Sequence, residues 1–213
     1  MKSEPKPVRV HAYFDGQNLY RCTKTAFGYT YPNFDPKKLA LRVCLEQAGW
    51  VLNAVHFYTG VPRHNDNPFW CHFWHQKLRG LRRQPNVHVF SRTLRYREKT
   101  IKLDNGGTLR TTIGQEKGID VRIAIDIIRH AQKRVFDAAL VFSQDQDLSE
   151  VAKEIRAISD EQDRWIKIAS TFPKGSPAAN SRGINGTDWL PFDKSLYDQC
   201  LDLRDYRPRN MHR

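Results

Sequence analysis

The sequence predicts an α/β fold on a parallel sheet, and three observations carry that expectation. Short β-branched and aromatic runs alternate with stretches of helical periodicity from Val8 to Ala169. The run Ala138 to Phe142 is apolar throughout, as in a strand buried on both faces. Strand–helix–strand order implies right-handed crossovers, and so parallel neighbours.

Each element has a local reason. Val8 to Phe14 reads as the first strand, broken by Asp15-Gly16, and Asn18 to Thr25 as a helix. Asp35 before Pro36 is a helix start, since Asp caps the free amides and Pro suits the first turn; that helix runs to about Gln47 and stops at Gly49. Val51 to Tyr58 is the second strand, ended by Gly60 and Pro62. Asn67-Pro68 opens a helix to about Arg83, whose stripe of Phe69, Trp70, Phe73, Trp74, Leu78 and Leu81 predicts core packing, with stacking on unpaired bases as the alternative. Asn86 to Phe90 is the third strand. Thr93 to Leu103 and Leu109 to Ile113 flank Asp104-Asn105-Gly106-Gly107, a hairpin signal. Gly118 to Phe136 is the strongest helix, with Ala124, Ile127, Ile128, Ala131 and Val135 at helical spacing. After Ala138 to Phe142 come a helix from Leu148 to Ile158, a fifth strand from Trp165 to Ala169, a Pro/Gly/Ser-rich loop from Phe172 to Gly186, and a terminal helix from Lys194 to Leu203. Without repeats or a composition break, residues 1–213 read as a single domain. The hairpin is an insertion at about 92–113, and a C-terminal extension covers about 172–213.

The chain has 213 residues, a formal net charge of +12 and a sequence pI of about 9.7. Mean hydropathy is −0.67. No run of about 18 apolar residues offers a membrane span, and polar Met1 to Arg9 leads into no signal-peptide core. Cys22, Cys44, Cys71 and Cys200 are widely spaced with no CxxC pair, which reads as reduced thiols in a cytoplasm. No Walker A, Gly-x-Gly-x-x-Gly or Gly-x-Ser-x-Gly segment occurs, removing support for nucleotide-driven motors, Rossmann dehydrogenases and serine hydrolases.

The charge is concentrated. Lys77, Arg79, Arg82, Arg83, Arg92, Arg95, Arg97, Lys99 and Lys102 face one acid, Glu98, in their window. Such a strip favours a polyanion, because each phosphate contact releases condensed counterions; a solvated surface is the plainer alternative.

In an open parallel sheet, ligands bind beyond the carboxyl ends of the strands. Asp15 ends the first strand there, and Asp145 and Asp147 follow Ala138 to Phe142. Asp120 lies in the first turn of the long helix, on the stripe of Ala124, Ile127 and Ala131, where a carboxylate needs a cation or amides to offset its burial. Local alternatives exist: a capping box of Asp147 with Glu150, a cap by Asp15, and a dipole contact for Asp120. Together the four form a hard-oxygen set suited to Mg²⁺ or Mn²⁺. Asp126, with Arg122, Arg129, His130 and Lys133, reads as a solvated ion-paired face. His11 reads as a packed strand residue, and His72 with His75 lacks a third ligand.

At these residues the chain resembles the NYN family of PIN-like ribonucleases, particularly its LabA-like bacterial branch. The resemblance rests on Tyr13-Phe14-Asp15-Gly16-Gln17-Asn18-Leu19, Glu116-Lys117-Gly118-Ile119-Asp120-Val121 and Val141-Phe142-Ser143-Gln144-Asp145-Gln146-Asp147-Leu148. It implies a PIN-like, Rossmannoid three-layer sandwich with four or five parallel strands. It also implies Mg²⁺- or Mn²⁺-dependent cleavage of RNA, single-stranded or structured, by an endonuclease. Asp15, Asp120, Asp145 and Asp147 would then be the catalytic, metal-binding acids. Asn18 would support the first of them, Ser143 the turn after the fourth strand, and Lys117 a phosphate. The sequence departs from the family pattern at Gln144, Gln146 and Leu148. The competing readings are an RNA-binding module without chemistry and, third, an oxygenase-type enzyme, for which no flavin or nicotinamide fingerprint appears. DNA remains an alternative polyanion and a homodimer an open assembly.

Overall fold

The computed structural model describes residues 2–102, 107–175 and 182–208. Strand β1 (Val8–Asp15) sets the plan. Val10, Ala12 and Phe14 enter one core and Tyr13 the other, as the two-residue period of a strand requires. Helix α1 (Gly16–Phe27) follows at once, then α2 (Pro36–Leu45), capped by Asp35, whose carboxylate accepts from the Lys37 and Lys38 amides. Next come β2 (Trp50–Val61), α3 (Pro68–Leu81) and β3 (Val87–Thr93). The hairpin β4 (Arg95–Lys102) and β5 (Thr108–Gln115) leads to α4 (Ile119–Gln132) and β6 (Ala138–Phe142). A 3-10 turn (Gln146–Leu148) precedes α5 (Ser149–Glu161), β7 (Lys167–Pro173), β8 (Asp188–Phe192) and α6 (Lys194–Asp198).

The main sheet runs β3-β2-β1-β6-β7-β8 with every pair parallel. It therefore has six strands, one more than the four or five expected. The addition is β8, inside the segment read as a C-terminal extension. It is short, contains Pro191 and follows a loop rich in breakers, so its sequence gives no strand signal. At the sheet edge a proline is tolerated, because one side of the backbone needs no ladder partner.

Helices cover both faces. Leu39, Ala40 and Val43 of α2 and Phe73, Trp74, Leu78 and Leu81 of α3 pack with Phe14, Phe57 and Phe142 on one side. Ile119, Ile123, Ile127 and Ala131 of α4 and Val151, Ile155 and Ile158 of α5 pack with Tyr13, Ala139 and Val141 on the other. The α3 stripe is thus core, as expected, with Phe69 and Trp70 half-buried at its start.

Lys77 corrects the basic strip. It lies on that buried face and is 0% exposed; its ammonium donates to the Phe34 carbonyl at 2.7 Å and pairs with Asp202 at 3.5 Å. Three residues after Trp74 and four before Leu81, it shares their helical face, so it holds α3 to the chain beneath and offers nothing to a polyanion. Burial pulls its pKa down to about 8, against the opposing pull of Asp202.

The hairpin forms its own antiparallel pair, with Arg95 opposite Gln115 and Lys102 opposite Thr108. Its base is tied down by Leu94, whose amide donates to the Val61 carbonyl at 2.9 Å, and by Tyr96, whose hydroxyl accepts from the Arg63 amide at 3.1 Å. The Asp104-Asn105-Gly106 part of its turn, the Lys102 side chain, residues 176–181 of the late loop and the basic tail from Arg209 lie outside the described residues. Among those described, no helix is long and apolar enough to cross a membrane.

Candidate active site

Strand order reverses at β1, with β2 on one side and β6 on the other, so a crevice opens beyond the carboxyl ends of β1 and β6. A cavity of about 200 Å³ lies there, lined by Asp15, Gln17, Asn18, Arg21, Glu116, Ile119, Asp120 and Asp145. Three of the four expected aspartates therefore meet. Asp147 does not join them: it is exposed on the 3-10 turn, where its amide donates to Asp145 Oδ1 at 3.1 Å. The alternative for Asp147, a capping box with Glu150, does not form either, since α5 starts without a side-chain cap and Asp145 caps the 3-10 turn.

Asp15 is 6% exposed. It caps α1, with Oδ1 accepting from the Asn18 amide at 3.0 Å. The chain must turn into α1 directly against β2, and Gly16 permits this: a Cβ there would stand 2.7 Å from Phe57 Cζ and 2.9 Å from the Tyr58 carbonyl oxygen. Burial raises the Asp15 pKa to about 6, with Asp145 adding to the rise and the Asn18 amide opposing it.

Glu116 is the residue that sequence reasoning missed as a ligand. It follows β5, where the pattern reads as an exposed hairpin, yet its carboxylate accepts from the Gly60 amide and lines the cavity. A Cβ on Gly60 would stand 2.5 Å from Glu116 Cγ and 2.4 Å from Leu94 Cδ2, so glycine there makes room for the acid. Burial pushes the Glu116 pKa up to about 8, and the charge of Asp15 adds to it. The available signal was position, because Glu116 opens the motif segment that contains Asp120.

The supporting residues bind the two strand ends together. Asn18 Oδ1 accepts from the Gln144 amide at 3.0 Å, joining the turn after β1 to that after β6. Ser143 is 1% exposed, and its Oγ accepts from the Asp145 amide at 3.1 Å. Gln144 and Gln146 reach the late segment: Gln144 Nε2 donates to the Arg182 carbonyl at 2.6 Å and Gln146 Nε2 to the Gly183 carbonyl at 3.0 Å, while Gln146 Oε1 accepts from the Asn185 amide at 3.1 Å. Lys117 is exposed and outside the cavity lining.

Two further cavities adjoin. One of about 220 Å³ is lined by Tyr20, Trp70, Trp74 and Leu94 and shares Gln17 with the carboxylate cavity. It also shares Pro62 with a groove of about 390 Å³ that contains Arg63, Arg82 and Arg92. Of the basic strip, Arg79, Arg82, Arg83, Arg92, Arg95, Arg97 and Lys99 are exposed. Arg63, which the strip did not include, joins Arg82 and Arg92 through the fold.

The family model of the NYN domain matches residues 9–161. A crystal structure of a protein of unknown function from Vibrio parahaemolyticus is similar at 19% identity, covering 97% of this chain and 99% of that one, with a TM-score of 0.46. MurG from Acinetobacter baumannii is similar at 14% identity over 88% of this chain and 45% of its own, with a TM-score of 0.30. No curated protein matches.

Proposed function

The chain belongs to the NYN domain family, within the PIN-like nuclease superfamily, and from that premise we propose that it is a metal-dependent endoribonuclease acting on single-stranded RNA. The observation that carries the reading is the meeting of Asp15, Glu116, Asp120 and Asp145 around one polar cavity at the strand-order reversal.

The donor set fits a hard divalent cation. All four offer carboxylate oxygen, the preference of Mg²⁺ and Mn²⁺, and Mg²⁺ keeps part of its water shell, which suits a cavity of this size. The raised pKa values of Asp15 and Glu116 reflect burial first and then the charge of a neighbouring acid, Asp145 for Asp15 and Asp15 for Glu116, and a cation relieves that repulsion. Asp15, Asp120 and Asp145 would hold the ion with Glu116 beside them, and Asp147 drops out of the set. A cation so held stabilises charge developing on phosphoryl oxygens and acidifies water.

The remaining residues position the substrate. Arg63, Arg82 and Arg92 hold phosphates in the basic groove. Tyr20 and Trp70 take an unpaired base above buried Trp74, and Gln17 stands where the aromatic and acidic cavities meet. That order would bring a phosphodiester beside the carboxylates, and it supports a single strand, whose bases are free to stack. Residues 1–213 act as one domain in this reading, since the late segment braces the turn that carries Asp145.

The test is incubation of the pure protein with end-labelled single-stranded RNA in Mn²⁺ or in EDTA. Internal cleavage that needs the metal and disappears in Asp120→Asn supports the proposal. Cleavage unaffected by EDTA or by that substitution overturns it, as does salt-sensitive binding with no product at any metal concentration.

A further inference from the structure

The sheet face beneath α4 is divided. Towards β6 and β7 it is aliphatic, whereas towards β2 and β3 it carries His11 and Tyr13 of β1, His56 and Tyr58 of β2, and His88 of β3. The register sets Tyr13 beside His56 and His56 beside His88. From above, α4 lowers Asp126 and His130, one helical turn apart. The expected solvated, ion-paired face of α4 is corrected in part: Arg122 pairs with Asp126 and Arg129 and Lys133 are exposed, but Asp126 also accepts from the Tyr58 hydroxyl, each contact at 2.9 Å, and His130 turns to the sheet.

We propose that His11, His56 and His130 form a second metal site, for a zinc-type divalent ion, separate from the carboxylate cavity. Among the described residues, one ligand atom from each of the three lies within 4.8 Å of the other two. His56 Nε2 stands 3.2 Å from His11 Nδ1. Two nitrogens bound at about 2.0–2.1 Å to a tetrahedral zinc lie about 3.3–3.4 Å apart, so this pair already has the spacing of a shared ion. The His56 and His130 ring centroids are 4.8 Å apart. His130 Nδ1 meets the Tyr13 hydroxyl at 2.8 Å, the outer contact that orients a ligating imidazole.

The chemistry of the pocket selects the ion. Imidazole nitrogen suits zinc, copper and nickel better than magnesium or calcium. Burial lowers the pKa of all three histidines, His11 to about 4; neighbouring charges add to the fall for His11 and His56, while Asp126 opposes it at His130, so neutral rings with available lone pairs face one another near pH 7. An adjoining cavity of about 410 Å³, lined also by exposed His88, gives an ion access and leaves a fourth position for water. Contributed by β1, β2 and α4, the three ligands would pin the helix that carries Asp120 to the strand that carries Asp15.

The proposal is tested on the full chain without an affinity tag, stripped of metal and titrated with Zn²⁺ against a chromophoric chelator. One zinc per chain is expected, with affinity at least about tenfold lower in His130→Ala and in His11→Asn, and unchanged in an Asp15→Asn/Asp120→Asn double variant. If a histidine variant fails to fold, Co²⁺ on the wild-type protein decides, through a visible tetrahedral spectrum that Zn²⁺ displaces. No uptake by the folded wild type, uptake undiminished by both histidine changes, or uptake lost in the aspartate double variant overturns the proposal. Absence of a tetrahedral Co²⁺ spectrum does the same.

Discussion

A buried carboxylate takes its acidity from what surrounds it, and Glu116 and Asp15 are the clearest cases in this chain. Glu116 holds its proton up to about pH 8 in the folded state against an ordinary value of 4.5. Between those values the folded chain binds more protons at this residue than the unfolded chain, so its contribution to stability falls as pH rises through the window. In EDTA the melting temperature is expected to fall from about pH 5 to pH 8, less steeply in Glu116→Gln, and Mn²⁺ should flatten the wild-type curve. Calorimetry in a buffer series checks this; a pH-independent wild-type melt would refute it. Asn18→Ala removes an outer partner from the turn and should reduce Mn²⁺-dependent cleavage by roughly 10–100-fold, the usual range for such residues. Asp15, Asp120 and Asp145 were legible because they sit at strand and helix ends inside recognisable segments. Glu116 was not, because its role depends on Gly60 in a strand more than fifty positions earlier, and no local pattern reports that approach.

Among the elements, α3 shows how charge in a sequence divides into two jobs. Lys77 faces the core while Arg79, Arg82 and Arg83 face solvent. Lys77→Ala removes the cationic partner of Asp202 and the donor to the Phe34 carbonyl, and should destabilise the fold by about 3–5 kcal/mol, visible as a lower denaturant midpoint. Arg82→Ala and Arg92→Ala should leave that midpoint nearly unchanged. Each should reduce the slope of log affinity for single-stranded RNA against log salt by about 0.7, the effect of one phosphate contact. A count of basic residues cannot separate these roles; the helical period around Trp74 and Leu81 can, and it assigns Lys77 to the interior. Strand β8 was hidden for another reason, since a proline-containing edge strand is defined by its neighbour β7 more than by its own residues.

For the molecule as a whole, the family match ends at residue 161 while the sheet does not. Strands β7 and β8 complete it beyond β6, and Phe192 stacks on Tyr197 at 6.2 Å while Phe27 packs on Tyr197 at 5.5 Å. A fragment ending at Glu161 would leave β6 as an edge strand with apolar faces and remove the cover from α1. It is expected to lose near-ultraviolet circular dichroism and to bind hydrophobic dyes, whereas cooperative unfolding of that fragment would show that the late strands are dispensable. The alternation of strands and helices made the parallel sheet readable, whereas the order of its strands, and so the point where that order reverses, was not. The closeness of His11, His56 and His130 was not readable, because it depends on strand register and on the roll of α4.

The joints beneath the acids are made of Asn18, Gln144 and Gln146, whose side-chain amides neither gain nor lose a proton across the ordinary range of acidity. Asp15 above them does, at about pH 6. Mild acid would therefore switch off the chemistry while the carpentry stays put, and a brief acid exposure followed by neutralisation should restore full activity at once, with no refolding lag.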